Sequence, residues 1–404
     1  MSDRQSTRNK FEGGFISPAK PSTPTDNQIF VDLPLSTKRE KLLRGTPSRF
    51  RIPPALRLTK TAPSSNRFYS VRLHEESSTA KIVSFRSSHE MPKLSPKFNS
   101  KQEDTYLEQR FTILRQLGQG SFGEAVSVKS KDDGKMYAVK CSLDRYRNSA
   151  DRSTKLKEVQ RHELLPPHPN LVKFIKAWEE KGRLYIQTEL CQRSLDDIAR
   201  TQHEIEEPVI WQYLIDLLLA VHHLHSHDLL HVDIKPANIF VTNDGVCKLG
   251  DFGLVFDLKN DKECDAVEGD SKYLAKEVLN DKPTKAADIF SLGMTILELA
   301  TDLDLPNNGV FWHELRERII DEKYICHLSA DLRRIIGCMI DPNPLLRPTA
   351  AELLNDPAIK RYKMKRWWLL AKHQIIAAAL SDKIFLIVSV FILLLVVKLF
   401  YAVR

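Results

Sequence analysis

Chemistry first shows in this sequence at "LLHVDIKPANIF" (229–240), where Lys235 follows Asp233 by two residues and Asn238 follows Lys235 by three. Eighteen residues beyond Asp233, "GDFG" adds Asp251. Upstream, "LGQGSFGEA" (117–125) sets Gly118, Gly120 and Gly123 in a G-x-G-x-x-G array, and "YAVK" places Lys140 seventeen residues after Gly123. Glycine lets a backbone approach phosphate oxygens without a Cβ in the way. A lysine ammonium can reach the α- and β-phosphates of a nucleotide, and carboxylate and amide oxygens suit magnesium. The set fits in-line transfer of a phosphoryl group to a hydroxyl, a reaction that rests on positioning and charge neutralisation. In that reaction Asp233 would accept or orient the acceptor's hydroxyl proton, and Lys235 would sit near the γ-phosphate. Asn238 and Asp251 would hold the metal.

The glycine array alone is a weak signal, since dinucleotide sites and chance both produce it. A dinucleotide site needs a strand before the array and a helix after it. Here strand-like runs flank both sides, "FTILRQLG" and "AVSVKS", as a hairpin folded over phosphates requires. A third run, "KMYAVKCSL", follows an Asp132-Asp133-Gly134 turn and puts Lys140 on a strand. The charged stretch 151–165 is helix-compatible, and its Glu158 is the candidate to hold Lys140 in position, with Glu163 competing. Two further strands precede Cys191; beyond it "VIWQYLIDLLLAVHHLHSH", "AADIFSLGMTILELATD" and "SADLRRIIGCMI" carry broad apolar helical faces. A strand-rich lobe followed by a helical lobe is the architecture predicted.

Charge is unevenly distributed around this centre. The formal net charge of +8 comes from basic ends: residues 1–100 hold 18 Lys and Arg against 8 Asp and Glu, while 101–357 hold 33 against 43. Residues 1–105 are rich in Ser, Thr, Pro, Lys and Arg without sustained periodicity, so a disordered regulatory tail is expected there. Its "SPAK" (Ser17) and "TPSR" (Thr46) suit proline-directed kinases, and Thr23 and Ser95 also precede proline. The six cysteines lack metal-ligand or C-x-x-C spacing and read as free thiols, and "MSDRQSTRNKFEGG" lacks the apolar run of a secretory leader. Residues 358–383 form a basic approach to "IFLIVSVFILLLVV" (384–397), which extends through Lys398 to Val403. That segment, 384–403, is expected to associate with a membrane, either spanning it or lying as an interfacial helix, with the basic side cytoplasmic. Nucleic-acid binding is not expected, because the basic tail lacks interleaved aromatics and a recognisable module.

The glycine array, Lys140, Glu158, Asp233, Asn238 and Asp251 stand in the order and spacing of eukaryotic protein kinases, and residues 106–357 resemble that family. The resemblance implies an α+β, two-lobed fold, here with a disordered N-terminal tail and a C-terminal hydrophobic membrane helix. It implies ATP and Mg2+ as cofactors, Asp233 and Lys235 as catalytic residues, and Asn238 and Asp251 as metal ligands. The nucleotide would be bound by Leu117, Gly118, Gly120, Gly123 and Ala125, by Ala138 and Lys140 with Glu158, and at the "QTELC" hinge by Glu189 and Cys191. Asp288 of "DIFSLG" and the pair Glu277–Arg347 match structural anchors of the family.

Within the family the chain looks like the Wee group, and its membrane-associated tyrosine- and threonine-specific branch in particular. Val232 stands where most catalytic loops have arginine, "EGD" (268–270) lies in the activation segment, and "DFG" is joined by the C-terminal apolar segment. That branch phosphorylates an adjacent threonine and tyrosine in the glycine loop of a mitotic cyclin-dependent kinase, inhibiting it. The implied partners are a cyclin-dependent kinase–cyclin complex and the cytoplasmic face of endoplasmic reticulum or Golgi membranes. Between Gly253 and Ala275 the only hydroxyls are Ser271 and Tyr273, so the activation loop is expected to work without a phosphate. Asp270, where serine/threonine kinases usually have threonine, would pair with Lys235. Ala125 replaces the usual valine above the adenine, and Lys276 the usual proline of "AKE". The branch's cyclin-docking tail has no counterpart before Arg404, and residues 1–100 lack Arg-x-Leu, so the docking route stays open. Two alternatives remain: a membrane-tethered kinase with a different Ser/Thr substrate, and a kinase-fold scaffold that sequesters its partner.

Overall fold

Alternating apolar residues in the first half of the catalytic region build an antiparallel sheet that a short N-terminal strand extends. The computed structural model describes residues 35–43, 79–87, 89–120, 123–261, 269–279, 283–364 and 393. Ser17, Thr23, Thr46, Cys264 and nearly all of the segment 384–403 lie outside these residues. Among the described residues no helix is long and apolar enough to cross a membrane.

The chain enters with α1 (Lys38–Leu43), then β1 (Lys81–Val83) and α2 (Tyr106–Arg110). Strands β2 (Phe111–Gly120), β3 (Gly123–Ser130) and β4 (Met136–Cys141) follow, then α3 (Ser149–Leu164), β5 (Phe174–Glu180) and β6 (Arg183–Glu189). The sheet runs β1-β5-β6-β4-β3-β2, every neighbour antiparallel. The Asp132-Asp133-Gly134 turn forms as expected, with Gly134 at φ +70°. Asn148 caps α3 by accepting from the Asp151 backbone nitrogen at 2.8 Å, which satisfies a donor that the helix cannot pair internally.

Residues 79–87 and 89–105, expected to belong to the disordered tail 1–105, are instead part of this lobe. Ile82 is the register partner of Trp178, and Leu94 and Phe98 pack against the cluster of Tyr106, Phe111, Trp178 and Tyr185. Trp178 stacks on Tyr185 with ring centroids 5.1 Å apart, and Tyr106 meets Trp178 edge-on at 5.2 Å. Tyr106 Oη accepts from the Ser95 backbone nitrogen at 3.0 Å and from Lys176 Nζ at 2.8 Å, tying the segment to β5. A few isolated apolar residues suffice here because the aromatic cluster already offers the surface they cover.

The second lobe begins at β7 (Arg193–Ser194), α4 (Leu195–Thr201) and α5 (Glu207–Ser226). After β8 (Leu229–Leu230), β9 (Ile239–Val241), β10 (Cys247–Leu249) and β11 (Phe256–Asp257) come α6 (Lys285–Thr301), α7 (Val310–Arg316), α8 (Glu322–Ile325), α9 (Ala330–Met339) and α10 (Ala350–Asn355). Every residue from Ala287 to Thr301 is buried, so α6 is the lobe's central post rather than an amphipathic surface helix. Each fully buried Leu or Ile there contributes about 1.5–3 kcal/mol. The expected anchor pair forms, with Arg347 Nη2 3.0 Å from Glu277 Oε2. None of the described cysteines forms a disulfide.

Candidate active site

Four segments bring the side chains expected to handle phosphate together where the two lobes meet. Gly120 and Gly123 are register partners at the tip of the β2–β3 hairpin, whose residues 121–122 lie outside the described set. A Cβ on Gly123 would sit 2.5 Å from the Cys141 carbonyl oxygen, so glycine is what lets β3 start so close to β4. Ala125 on β3 pairs with Gly118 on β2 and Lys140 on β4, one residue beyond Leu117, and Ala138 pairs with Thr188 on β6. These small residues leave a shallow apolar roof. At the hinge, the Glu189 carboxylate is taken by Lys248 Nζ at 2.8 Å and the Lys173 nitrogen at 2.7 Å, so a nucleotide contact there would come from backbone. Burial, then the neighbouring Glu189 charge, pushes the half-buried Cys191 thiol up to about 12.

Lys140 Nζ lies 2.7 Å from Glu158 Oε1 and 3.6 Å from Asp251 Oδ2. Of the two competing glutamates, Glu158 therefore holds Lys140. Burial opposes the Lys140 charge, but Glu158 and Asp251 outweigh it and hold the ammonium above its ordinary range. Burial likewise pushes Asp251 up, and Lys140 with lesser help from His231 and Lys235 pulls it below the usual carboxylate range. Asp251 sits at φ +59°, a conformation that aspartate tolerates better than most residues. Phe252 beside it is buried against His162 and His231, with ring centroids 4.6 and 5.6 Å away.

Glu163 has a different task. It is buried, and its carboxylate accepts from Ser84 Oγ and the Phe85 backbone nitrogen at 2.6 Å each. Arg86 Nη2 donates to the Glu163 carbonyl oxygen at 2.9 Å. The helix that carries Glu158 is thus clamped from behind by residues just after β1.

On the other wall, Asp233 Oδ2 accepts from Asn238 Nδ2 at 2.8 Å and from Lys235 Nζ at 2.9 Å. Its Oδ1 accepts from the Asp270 backbone nitrogen at 3.1 Å. The expected Lys235–Asp270 pairing is present at 3.7 Å. Asn238 Nδ2 also donates to the Asp233 carbonyl oxygen at 2.9 Å; its amide oxygen is a hard donor of the kind that suits magnesium.

Val232 answers for the missing arginine. It is buried with Leu230 and Phe256, and Leu254 packs beside them. Its φ of +69° is costly for a β-branched residue, about 1–3 kcal/mol. The turn is held by Asp288, whose carboxylate accepts from the His231 and Val232 nitrogens and from His225 Nε2, all at 2.9 Å.

Three positions that the residue types alone did not reveal shape the acceptor side. A Cβ on Gly269 would lie 2.5 Å from the Val232 carbonyl oxygen. Arg316 is buried, with its guanidinium 3.6 Å from the Trp312 ring, and donates to the carbonyl oxygens of Ser271 at 2.8 Å, Lys272 at 3.2 Å and Leu274 at 2.9 Å. Tyr273, one of the two hydroxyls of the segment, is buried and donates to Glu298 Oε2 at 2.6 Å. Backbone acceptors leave no trace in sequence.

The protein kinase domain family matches residues 111–359. The membrane-associated tyrosine- and threonine-specific cdc2-inhibitory kinase wee-1.3 of Caenorhabditis elegans is 47% identical over 365 residues, 89% of this chain and 52% of the relative. The membrane-associated tyrosine- and threonine-specific cdc2-inhibitory kinase of Drosophila melanogaster is 45% identical over 263 residues, 65% of this chain and 49% of the relative. A Wee1-like protein kinase of Oryza sativa subsp. japonica is 36% identical over 249 residues, 61% and 46% of the two chains. The chain thus spans about half the length of these curated relatives.

Proposed function

We propose that this chain, which belongs to the protein kinase family, transfers the γ-phosphate of ATP to an adjacent threonine and tyrosine of a mitotic cyclin-dependent kinase and thereby inhibits it. One arrangement carries the reading: Lys140 holds Glu158 and Asp251, Asp233 is bound by Lys235, Asn238 and Asp270, and the Lys235 charge acts on Asp251 across the two groups. The printed names of the Caenorhabditis and Drosophila relatives support the inhibitory assignment.

In this mechanism Lys140 neutralises the α- and β-phosphates, and Glu158 keeps its ammonium from swinging away. Asp251 and the Asn238 amide oxygen would hold magnesium, which neutralises charge on the phosphates when bound. Asp233 orients the acceptor hydroxyl and takes its proton as that oxygen bonds to the γ-phosphorus and the bridging oxygen leaves with ADP. Lys235, within reach of both Asp233 and Asp270, sits where charge accumulates on the transferred group. Asp270 in place of a neutral hydroxyl residue reshapes the acceptor side, which accounts for acceptance of tyrosine as well as threonine.

Residues 384–403 attach the enzyme to the cytoplasmic face of endoplasmic reticulum or Golgi membranes in the same proposal, behind a basic segment at 358–383. Phosphorylation of Ser17 and Thr46 by proline-directed kinases belongs to it as tail regulation.

The test mixes the full chain, magnesium and ATP with a cyclin-dependent kinase–cyclin complex inactivated by mutation, and maps new phosphates by mass spectrometry. Phosphate on the paired threonine and tyrosine, absent with Asp251→Ala, is the expected result. Phosphate on a generic acceptor alone would keep the kinase and remove the inhibitory assignment. No transfer by folded protein would leave only a scaffold.

A further inference from the structure

Residues 35–43 lie on the helical lobe, against the elements that bear the acceptor end of the activation segment. The contact begins as a strand-like bridge between Thr37 and Leu303, in which the Lys38 nitrogen donates to the Asp302 carbonyl oxygen at 2.8 Å and the Asp304 nitrogen donates to that of Ser36 at 3.1 Å. The Arg39 nitrogen donates to Asp302 Oδ2 at 2.9 Å. Tyr324 Oη donates to the Leu35 carbonyl oxygen, Ser36 is buried, and Arg39 pairs with Glu204. Two lysines then reach the acidic floor: Lys38 Nζ stands 2.6 Å from Glu298 Oε1 and Lys41 Nζ 2.6 Å from Asp304 Oδ2.

Both receiving carboxylates are shared with the activation segment. The other oxygen of Glu298 accepts from Tyr273 Oη, and the other oxygen of Asp304 accepts from Lys272 Nζ at 3.1 Å. The Tyr273 nitrogen donates to the Asp270 carbonyl oxygen at 3.0 Å, and the Asp270 nitrogen to Asp233. A basic tail segment therefore stands one side chain from the residues that would flank an acceptor hydroxyl. An extended acceptor advances about 3.3 Å per residue, so a few residues on either side of its hydroxyl must cross this same ground.

We propose that Glu298, Asp302 and Asp304 form an acidic docking groove whose resident is the chain's own segment 35–43, and that a protein acceptor must displace this segment to lie across the activation segment. The competition rests on the kinase reading above; the groove and its resident do not. Charge fits the assignment, since Lys38, Arg39 and Lys41 face Glu298, Glu204 and Asp304. The ATP side of the cleft is untouched, so the segment discriminates against protein acceptors and leaves nucleotide binding alone.

The test compares the full chain with its Lys38→Glu/Lys41→Glu variant. A labelled peptide of residues 35–43 is titrated into each, and KM is measured for a protein acceptor and for ATP. The variant, its own segment repelled, is expected to bind the peptide about tenfold more tightly than the parent and to show an acceptor KM lower by about three- to tenfold. KM for ATP stays unchanged. Because reversing Lys38 also strips Glu298 of its cation, Arg39→Glu/Lys41→Glu serves as a second variant that spares the buried pair. Equal peptide affinity in all three chains overturns the groove, and an unchanged acceptor KM overturns the competition. Peptide discrimination without any phosphate transfer would keep the groove and sink the activity proposed above.

Discussion

The backbone nitrogen of Asp270 donates to Asp233 Oδ1 at 3.1 Å, tying the acceptor end of the activation segment to the catalytic loop through a main-chain bond. The approach is possible because Gly269 passes the Val232 carbonyl oxygen where any side chain would collide.

Gly269→Ala is therefore expected to damage chemistry more than folding. Its Cβ would lie 2.5 Å from the Val232 oxygen and 3.2 Å from Asp233 Oδ1, so the segment must back away. Single-turnover phosphate transfer should fall by about a hundredfold, the cost of misplacing a reacting group by an ångström. A melting temperature close to the parent's alongside that loss would confirm it; an unchanged rate would show that the bond does not matter.

Glu158 and Glu163 lie on the same helix and are expected to fail in opposite ways. Glu158→Gln removes the charge that holds the Lys140 ammonium, lowering kcat/KM for ATP by about tenfold to a hundredfold, with stability changed by less than about 1 kcal/mol because the pair is partly exposed. Glu163→Ala strands the Phe85 nitrogen and Ser84 hydroxyl, at a cost of about 1–3 kcal/mol. Urea unfolding and initial-rate kinetics on both variants check the pair, and interchanged phenotypes would refute the assignment.

Val232→Arg would drive a guanidinium among Leu230, Leu254 and Phe256. Destabilisation of about 2–4 kcal/mol is expected, read as a lower denaturation midpoint. If the variant is as stable as the parent, the pocket is open to solvent and the apolar packing is not what holds the loop.

How far all this was legible beforehand depends on what kind of atom carries each contact. Lys140 and Glu158 could be paired from spacing, because both ends of the interaction are charged side chains on regular elements. Asp270 could be matched to Lys235 only through the family resemblance, since neither residue lies on a helix or strand. Glu163 could not be read, since its partners include the main-chain nitrogen of Phe85, 78 residues away. Arg316 escaped for the same reason, gripping three carbonyl oxygens of the activation segment. Ile82, Leu94 and Phe98 were set aside as tail because three scattered apolar residues have no period, although an aromatic cluster waited to receive them.

His162 gives the clearest dependence on pH. Burial, only partly opposed by its hydrogen bond with the Val172 carbonyl oxygen, pushes the imidazole down to about 4. In the unfolded chain it titrates near ~6.5. Below that value the unfolded state binds the extra proton and the folded state does not, so stability is full above ~6.5 and is lost as pH falls toward 4. The loss should reach roughly 3 kcal/mol at the acid end. Denaturation midpoints measured across this range should slope for the parent and flatten for His162→Gln; equal slopes would assign the titration elsewhere.

The apolar seat of Val232 bears on timing in the cell. A kinase whose catalytic loop carries arginine can be started by another kinase, because a phosphate gives that cation something to neutralise. Here Val232 has no charge to offer, and Tyr273 keeps its hydroxyl locked against Glu298. Within the activity proposed, this catalytic loop is expected to assemble without a phosphate, and what restrains it is the segment 35–43 in front of the acceptor side. Such an enzyme, if it must fall silent on schedule, is governed by how much of it exists, where it is held and what stands in front of its acceptor face. Its brake is supplied from outside the catalytic loop.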